Sequence, residues 1–458
     1  MFIFALLITL AVHSRGQLPV TGRPVPELAH IEPLVTSWMN AGSIDAAVIG
    51  IMRDDVVVYL RGFGWLDDNV PMIENAKVRL ASVTKPVTAA AIRNLISDPA
   101  VDLSLNTPAF NIGSNNGVLN LNPWPSLGDT RLANVTVDHL MRHLAGWDRG
   151  VAIDHTTKEC QIASDMDVNS PPGRTNTMRW ILGQPLIHNP GDSVRYSNEG
   201  FLALGLIIEE LQPFSYLSYV RSRILRPGMG VPITEISHAL TLRENADSRE
   251  PWYRSGTCTY CNVFAGTFFG GCSNLLSIQR AYGQRHLEAR LSQGGLIASA
   301  PAMLRFANNY RLNGFHIGAR LDDQPLVSTL SHGGAQSGVS TLLLQQPNGV
   351  RVFIFFNRRS DDHTATKFWN NHLASALQNL DEDDWPTAAS DGFWTLTSGS
   401  SSGGYGAFDQ PYGSFSHALS QCTNGSNIRL LPGATQWSGL ITTRLLIDAP
   451  EGSAIIGL

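Results

Sequence analysis

Residues 79–95 read "RLASVTKPVTAAAIRNL", and they place a hydroxyl and an amine, Ser82 and Lys85, three positions apart at the head of an alanine-rich apolar run. Residues three apart on a helix share a face. Pro86 fixes where the helix begins, because a proline inside a helix lacks an N–H and clashes with the carbonyl four residues back, here that of Ser82. The spacing predicts a helix that starts at or just before Ser82. Ser82 then lies in the first turn, where backbone N–H groups have no intrahelical partner and the dipole favours developing negative charge. Lys85 precedes the proline, a position that disfavours helical angles, so the local signals conflict there. An alcohol is a weak nucleophile at neutral pH, and a lysine withdrawn from water beside it becomes a better base because burial lowers an ammonium pKa. Ser-x-x-Lys on one face therefore supplies nucleophile and base together, although a capping serine beside a solvated lysine has the same spacing.

Outward from that helix, residues 46–67 read as two Val/Ile-rich strands joined at Arg53-Asp54-Asp55, and residues 340–357 as a hairpin around Gln346-Pro347-Asn348-Gly349. Between them, 135–144 reads as a short helix stopped by Gly146, and 201–211 as an apolar helix entered through Ser197 or Asn198. Residues 293–310 read as a turn, a short extended piece and a helix, and 366–380 as helical. Residues 98–131 read as loop with short elements, 150–175 as polar and loop-like and 225–275 as irregular, and all three are expected to wall a pocket. Strands at both ends with helices between them predict an α+β chain, an α/β sandwich whose antiparallel sheet is built from the N- and C-terminal parts and flanked by helices. A mostly helical insertion at about 98–275 fits between them. Residues 17–385 are read as one domain. Residues 386–458, with the Gly/Ser-rich stretch 398–415, are read as a linker and small extension without a core of its own.

The chain has 458 residues, 43% of them hydrophobic, and a formal charge of −5, which suits a globular protein with a large core and no polyanionic partner. Nucleic-acid binding is not expected, since there is no basic stripe. Residues 2–12 are an uncharged run, apolar except for Thr9, too short to span a bilayer and suited to a signal peptide cleaved near Ser14 to Gly16; residues 1–16 are assigned to it. This predicts a secreted protein with no membrane association in its mature form. The acceptor sequons at Asn134 and Asn424 are compatible with that route. Of five cysteines, Cys160, Cys258, Cys261, Cys272 and Cys422, one or two local disulfides are expected rather than a zinc site.

Two further segments bear on Ser82. Tyr196-Ser197-Asn198 stands at the mouth of the apolar helix, where a phenol can relay a proton and an amide can both donate and accept. His332-Gly333-Gly334 leads into a strand; glycines there let a substrate lie along the edge, and the following N–H of Ala335 can complete an oxyanion hole. In order and spacing these three motifs, with "LMRHLAGW" (140–147), "NPGDSVRYSN" (189–198) and "GGLIASAPAMLRFANN" (294–309), resemble the serine β-lactamase and penicillin-binding-protein superfamily. The resemblance is to its class C-like branch of β-lactamases, D-alanyl-D-alanine carboxypeptidases, esterases and acyltransferases, and covers about residues 25–380.

The resemblance implies a β-lactamase/transpeptidase-like fold and an acyl-enzyme on Ser82. Lys85 and Tyr196 would act together as base and acid, Asn198 would hold substrate or orient Lys85, His332 would line the pocket opposite, and the N–H groups of Ser82 and Ala335 would form the oxyanion hole. Water, an alcohol or an amine would then take the acyl group from a small-molecule or peptide ester or amide, with no cofactor or metal. His332 stands where many β-lactamases carry lysine, and Gly333 where a serine or threonine is common. Both changes remove groups that attract a substrate carboxylate and favour an esterase, amide hydrolase or acyltransferase over a β-lactamase. His143 is read as structural. A catalytically silent binding or scaffold protein is the alternative from another class. The Gly399-x-Ser401-x-Gly403 pattern formally matches a nucleophile elbow but lacks the strand and helix that would flank one.

Overall fold

Two hairpins almost three hundred positions apart in sequence make one sheet. The computed structural model describes residues 18–386, apart from 226–230 and short stretches between 259 and 276, together with parts of 393–456. The sheet runs Val20–Thr21, Val56–Asp67, Ala46–Arg53, Val350–Phe356, Val339–Gln345, Leu330–Gln336, all antiparallel. The N-terminal hairpin turns at Asp54 and Asp55, both in the left-handed region. The two hairpins join where Ala46–Arg53 pairs with Val350–Phe356, with Val350 opposite Arg53 and Phe356 opposite Ala47.

Side chains alternate across these strands, so the central strands serve two cores. Val48, Met52, Leu343, Phe353 and Phe355 face one cluster with the helices Thr84–Ile96, Glu199–Leu211 and Ala300–Asn309. Ile49, Ile51, Leu342, Leu344, Val352 and Ile354 face the other, which is covered by the helix Ile31–Gly42 and the helical run from Ala365 to Gln378. The three central strands, Ala46–Arg53, Val350–Phe356 and Val339–Gln345, are accordingly near-continuous apolar runs, as expected for strands buried on both faces. Leu330–Gln336 is an edge strand, and its free edge is where the candidate site lies.

Several expectations need correction. The helix expected over 135–144 is only Val137–Met141, because His143 adopts φ 60° and turns the chain. Residues 150–175 are not simply loop: Glu159–Asp165 is helical and Gly173–Leu182 begins within them. The C-terminal part has a small core of its own, in which Tyr412, Phe415 and Ala418 cluster with Ile428 and Leu430 of a parallel three-stranded sheet. Arg429 ties this part to Glu74 of the main body at 3.6 Å. Residues 1–16, the 399–403 pattern with Ser401, Cys261 and Asn424 lie outside the described residues. Among the described residues no helix is long and apolar enough to cross a membrane.

Candidate active site

Ser82 sits in a single 3-10 turn, Ala81–Val83, that leads directly into the helix Thr84–Ile96. Pro86 is the third residue of that helix, where a backbone N–H would have no intrahelical partner, and Lys85 keeps helical geometry in spite of the proline. The turn is held from behind. Leu80 N–H donates to Leu296 O at 2.9 Å, and Leu80 O accepts from Thr341 Oγ1 at 2.9 Å. Ala81, just before the nucleophile candidate, adopts φ 47°, a conformation that costs a non-glycine residue on the order of 1 kcal/mol. Nothing in the residue type signals this.

The edge strand closes on the same turn, and its two glycines differ. A Cβ on Gly334 would stand 2.1 Å from Thr341 Oγ1 and 2.3 Å from Leu80 O, so only glycine lets the strand press against the Ser82 turn. A Cβ on Gly333 would meet nothing closer than Thr366 Oγ1 at 3.6 Å, so a side chain would fit there.

Three chain segments converge on one amine. Lys85 Nζ donates to Ser82 Oγ at 3.2 Å, to Asn198 Oδ1 at 2.7 Å and to the Gln293 carbonyl at 2.6 Å. Ser82 Oγ also shares a 2.6 Å hydrogen bond with Tyr196 Oη. Lys85 is fully buried, and none of these partners carries a formal charge. Burial pushes its ammonium below the ordinary lysine range, and Arg290 adds to the lowering; Tyr196 and Asp154 pull the other way.

A surrounding layer holds these groups in place. Asp154 Oδ2 accepts from Asn198 Nδ2 at 2.5 Å, which turns the amide so that its oxygen faces Lys85. Burial would raise the Asp154 carboxyl, but Arg290 and hydrogen bonds from Thr156 and Asn198 outweigh it and hold it below its ordinary range. Glu199 Oε1 accepts from His155, and its Oε2 accepts from Ser197 Oγ at 3.0 Å. Ser197 Oγ in turn accepts from Gly200 N–H, so Ser197 rather than Asn198 satisfies the entrance of the helix Glu199–Leu211. His143 lies against the Tyr196 ring at 4.6 Å, and its Nδ1 accepts from Ser197 N–H at 3.2 Å. Burial, with Lys85 and His332 adding to it, pushes His143 down to about 3. His143, read as structural, thus bears on the site by positioning Tyr196.

Behind the turn lies a second buried cation. Arg79 donates to Glu250 Oε1 at 2.9 Å, to Ala281 O at 2.6 Å and to Leu240 O at 3.1 Å, and its guanidinium stacks on Tyr253 at 4.2 Å.

The cleft around Ser82 has two lobes, of about 340 and about 260 Å3, which meet at Ser82, Arg149, Ala335 and Arg359. Tyr196, Gly333, Gly334 and Thr366 line the larger lobe; Asp154, Asn198, Arg285 and Arg290 line the smaller. His332 lines neither. It occupies the same face of the strand as Gly334, its Nδ1 lies 3.1 Å from Gly333 O, and desolvation and the nearby Lys85 hold it neutral. Of the loops expected to form the walls, only 150–175 contributes; the others are replaced by residues from 284–294 and 359–366.

Sequence reasoning missed Asp154, Arg149, Arg359, the Gln293 carbonyl and the Arg79–Glu250 pair. The first three come from aperiodic segments, and a carbonyl belongs to every residue type. Chemically, the arrangement can present a hydroxyl to a carbonyl carbon with a phenol and an amine ready to take its proton. Among the described residues no group of three or more His, Cys, Asp or Glu side chains is placed to hold a metal ion.

Comparison with known proteins gives a family model, described as Beta-lactamase, that matches residues 30–374. Curated relatives include protein flp of Staphylococcus aureus (strain COL), 27% identical over 204 residues, covering 43% of this chain and 36% of that protein. Another is the probable fimbrial assembly protein FimD, serogroup H1, of Dichelobacter nodosus, 28% identical over 34% of this chain and 35% of its own length. The chain therefore spans little more than a third of the length of these relatives. Among solved structures, the octameric penicillin-binding protein homologue from Pyrococcus abyssi superposes with a TM-score of 0.52 at 20% identity, over 78% of this chain and 79% of that one. EstCE1, a hydrolase with promiscuous acyltransferase activity, gives 0.52 at 17% identity over 77% and 98%. The D-amino acid amidase from Ochrobactrum anthropi SV3 gives 0.52 at 15% identity over 76% and 99%. At these identities the likeness is one of fold, the β-lactamase/transpeptidase-like α+β arrangement.

Proposed function

This chain belongs to the Beta-lactamase family, and from that premise we propose that it is a serine hydrolase forming an acyl-enzyme on Ser82 from small ester or amide substrates. One observation carries the reading: Ser82 Oγ lies 2.6 Å from Tyr196 Oη and 3.2 Å from a buried Lys85 Nζ. As Oγ attacks the carbonyl carbon, its proton passes to the Tyr196–Lys85 pair. The N–H groups of Ser82 and Ala335 receive the developing oxyanion, a contribution of about 2.7–4 kcal/mol per donor in comparable sites. The bond to the leaving alkoxide or amine then breaks, and the pair returns the proton to it. Water completes hydrolysis by the reverse sequence; an alcohol or amine in its place completes acyl transfer. Asn198 orients the amine, and Gly333 leaves room beside the scissile bond.

A neutral His332 offers no fixed ammonium for a substrate carboxylate, and Gly333 offers no hydroxyl. Both features support esters and simple amides over β-lactams. Residues 17–385 form the catalytic unit in this reading, with 386–458 as an extension. The proposal includes export directed by residues 1–16, carbohydrate at Asn134, which is exposed, and disulfide pairing among the cysteines. N-terminal sequencing of secreted protein, with intact mass before and after deglycosylation and reduction, tests these three points.

The main test is intact-mass detection of acylated protein after incubation with p-nitrophenyl acetate, a cephalosporin and a D-Ala-D-Ala peptide. The expected result is an adduct with the ester that maps to Ser82 and vanishes in Ser82→Ala. An adduct that survives Ser82→Ala and vanishes in Ser401→Ala would move the nucleophile to the tail. No adduct with any acyl donor would favour a silent scaffold.

A further inference from the structure

Eight residues beyond Lys85 on the same helix, a second cavity opens that the chemistry at Ser82 does not use. Its volume is about 490 Å3, larger than either lobe of the cleft, and it shares no lining residue with them. The helix Thr84–Ile96 contributes Arg93 and Asn94 to one wall, the segment 310–324 contributes Tyr310, Arg320 and Asp323, and Arg223 stands at the margin. A space of this size suits a small organic molecule.

The walls are fixed before anything binds. Gly318 has φ 75°, and a Cβ there would stand 2.4 Å from the backbone of Ala89 and Ala90, so the 310–324 segment lies directly on the helix. Backbone bonds from Gly318 to Arg311 at 2.8 Å, from Arg311 to Ala319 at 2.9 Å and from Leu321 to Asn309 at 2.9 Å hold it there.

The charge is out of balance. Arg93 is half-buried and anchored by two carbonyls, Ile317 O at 2.6 Å and Phe315 O at 3.3 Å, and it makes no ion pair among the described residues. Burial pushes its guanidinium down from its ordinary value, and the carboxylate that offsets this, Asp138, is already gripped two-pronged by Arg142 at 2.9 and 2.6 Å. A guanidinium does not shed its proton to relieve burial as a lysine can. Arg223 is exposed and likewise makes no ion pair among the described residues. Arg320 pairs with Asp322 at 3.0 Å and leans toward the Tyr310 ring at 5.7 Å. With Arg320 already paired, two guanidiniums without an ion-pair partner among the described residues, Arg93 and Arg223, line the cavity, and Asp323 is the one carboxylate in its lining.

We propose that this cavity binds a small organic anion, with carboxylate or phosphate oxygens on Arg93 and Arg223 and the apolar body against Tyr310 and Ala90. Two charge-assisted contacts to one anion are the kind of interaction a fixed, uncompensated guanidinium favours. The site is independent of acylation at Ser82.

The experiment is calorimetric titration of the full chain with benzoate and with inorganic phosphate at constant ionic strength. The expected result is one saturable site for at least one of the two, weakened about tenfold or more in Arg223→Met and in Arg93→Met. The same affinity is expected in Arg149→Ala, which removes a guanidinium from the catalytic cleft instead. Arg223 is exposed, so its variant keeps the test valid should Arg93→Met fold poorly. Binding of phosphate alone identifies the oxyanion as the determinant; binding of benzoate alone adds the apolar wall. The proposal is overturned if neither anion binds, if affinity is unchanged in Arg223→Met and Arg93→Met, or if it is lost in Arg149→Ala.

Discussion

Arg79 and Lys85 are both buried cations, one behind the turn that carries Ser82 and one in front of it. Arg79 meets a carboxylate, Glu250, and Glu250 with two tyrosines keeps it charged above its ordinary value in spite of burial. Lys85 hydrogen-bonds to a hydroxyl, an amide oxygen and a carbonyl but to no carboxylate, and burial pushes its ammonium down. Six residues apart, the same penalty is handled in opposite ways. Where a counter-charge is supplied, the cation is a fixed anchor; where it is withheld, the group can give up its proton, which a base at Ser82 requires. Residue type follows the same division, since lysine shifts its pKa readily when buried and arginine does not.

The sharpest way to break this comparison is to remove the front cation. Lys85→Ala should lower kcat/KM for p-nitrophenyl acetate by about 10²- to 10⁴-fold, the usual range for a positioned general base, while the folded fraction by circular dichroism stays near that of the parent. Activity within severalfold of the parent would mean that Lys85 is not the base. The counterpart at the back is Glu250→Gln, which leaves the Arg79 guanidinium buried without its carboxylate. Urea unfolding should show a loss of about 3–5 kcal/mol, with Ser82 still acylated per folded molecule. A loss of acylation without a loss of stability would reverse the roles assigned to the two cations.

Asp154 sharpens the comparison, because it makes no direct hydrogen bond to Lys85 but is linked to it through Asn198 and acts on it through space by its charge. Its charge raises the Lys85 pKa. In Asp154→Asn that support is gone, so the rise of kcat/KM with pH, which tracks the neutral amine, should move to lower pH. A limb that stays in place would remove Asp154 from the electrostatics of the site. The smallest effect is expected at His143, which is held at about 3 in the fold against an ordinary value of 6.5. Between those values the unfolded chain binds a proton that the folded one refuses, so stability falls as pH drops from about 6.5 toward 3. His143→Gln should flatten that slope in thermal melts, and an unchanged slope would assign the acid sensitivity elsewhere.

Much of this was legible in the sequence for identifiable reasons. The two hairpins declared themselves through β-branched runs around Asp54-Asp55 and Asn348-Gly349, whose preferences match their turns. That Ser82, Lys85, Tyr196, Asn198 and the glycines of the third motif would come together was legible because side-chain identity and order mark the motifs they belong to. The rest was hidden where function depends on something other than residue type. The third ligand of the Lys85 amine is the main-chain carbonyl of Gln293. The left-handed angle of Ala81 is imposed by the strand and helix around it. Asp154 and Arg149 lie on a segment without periodicity, and the Arg79–Glu250 pair joins positions 171 apart in sequence. The separate core of the C-terminal part escaped notice because its apolar residues are spaced between Gly- and Ser-rich stretches with no sustained period.

The central claim is that a buried amine without a counter-charge is the base for Ser82. The most direct test is an NMR titration of the Lys85 side-chain amine in the intact protein. The account predicts a midpoint well below the ordinary lysine value of about 10.4. A midpoint at or above that value would contradict it, because the amine would then be a fixed charge of the same kind as Arg79.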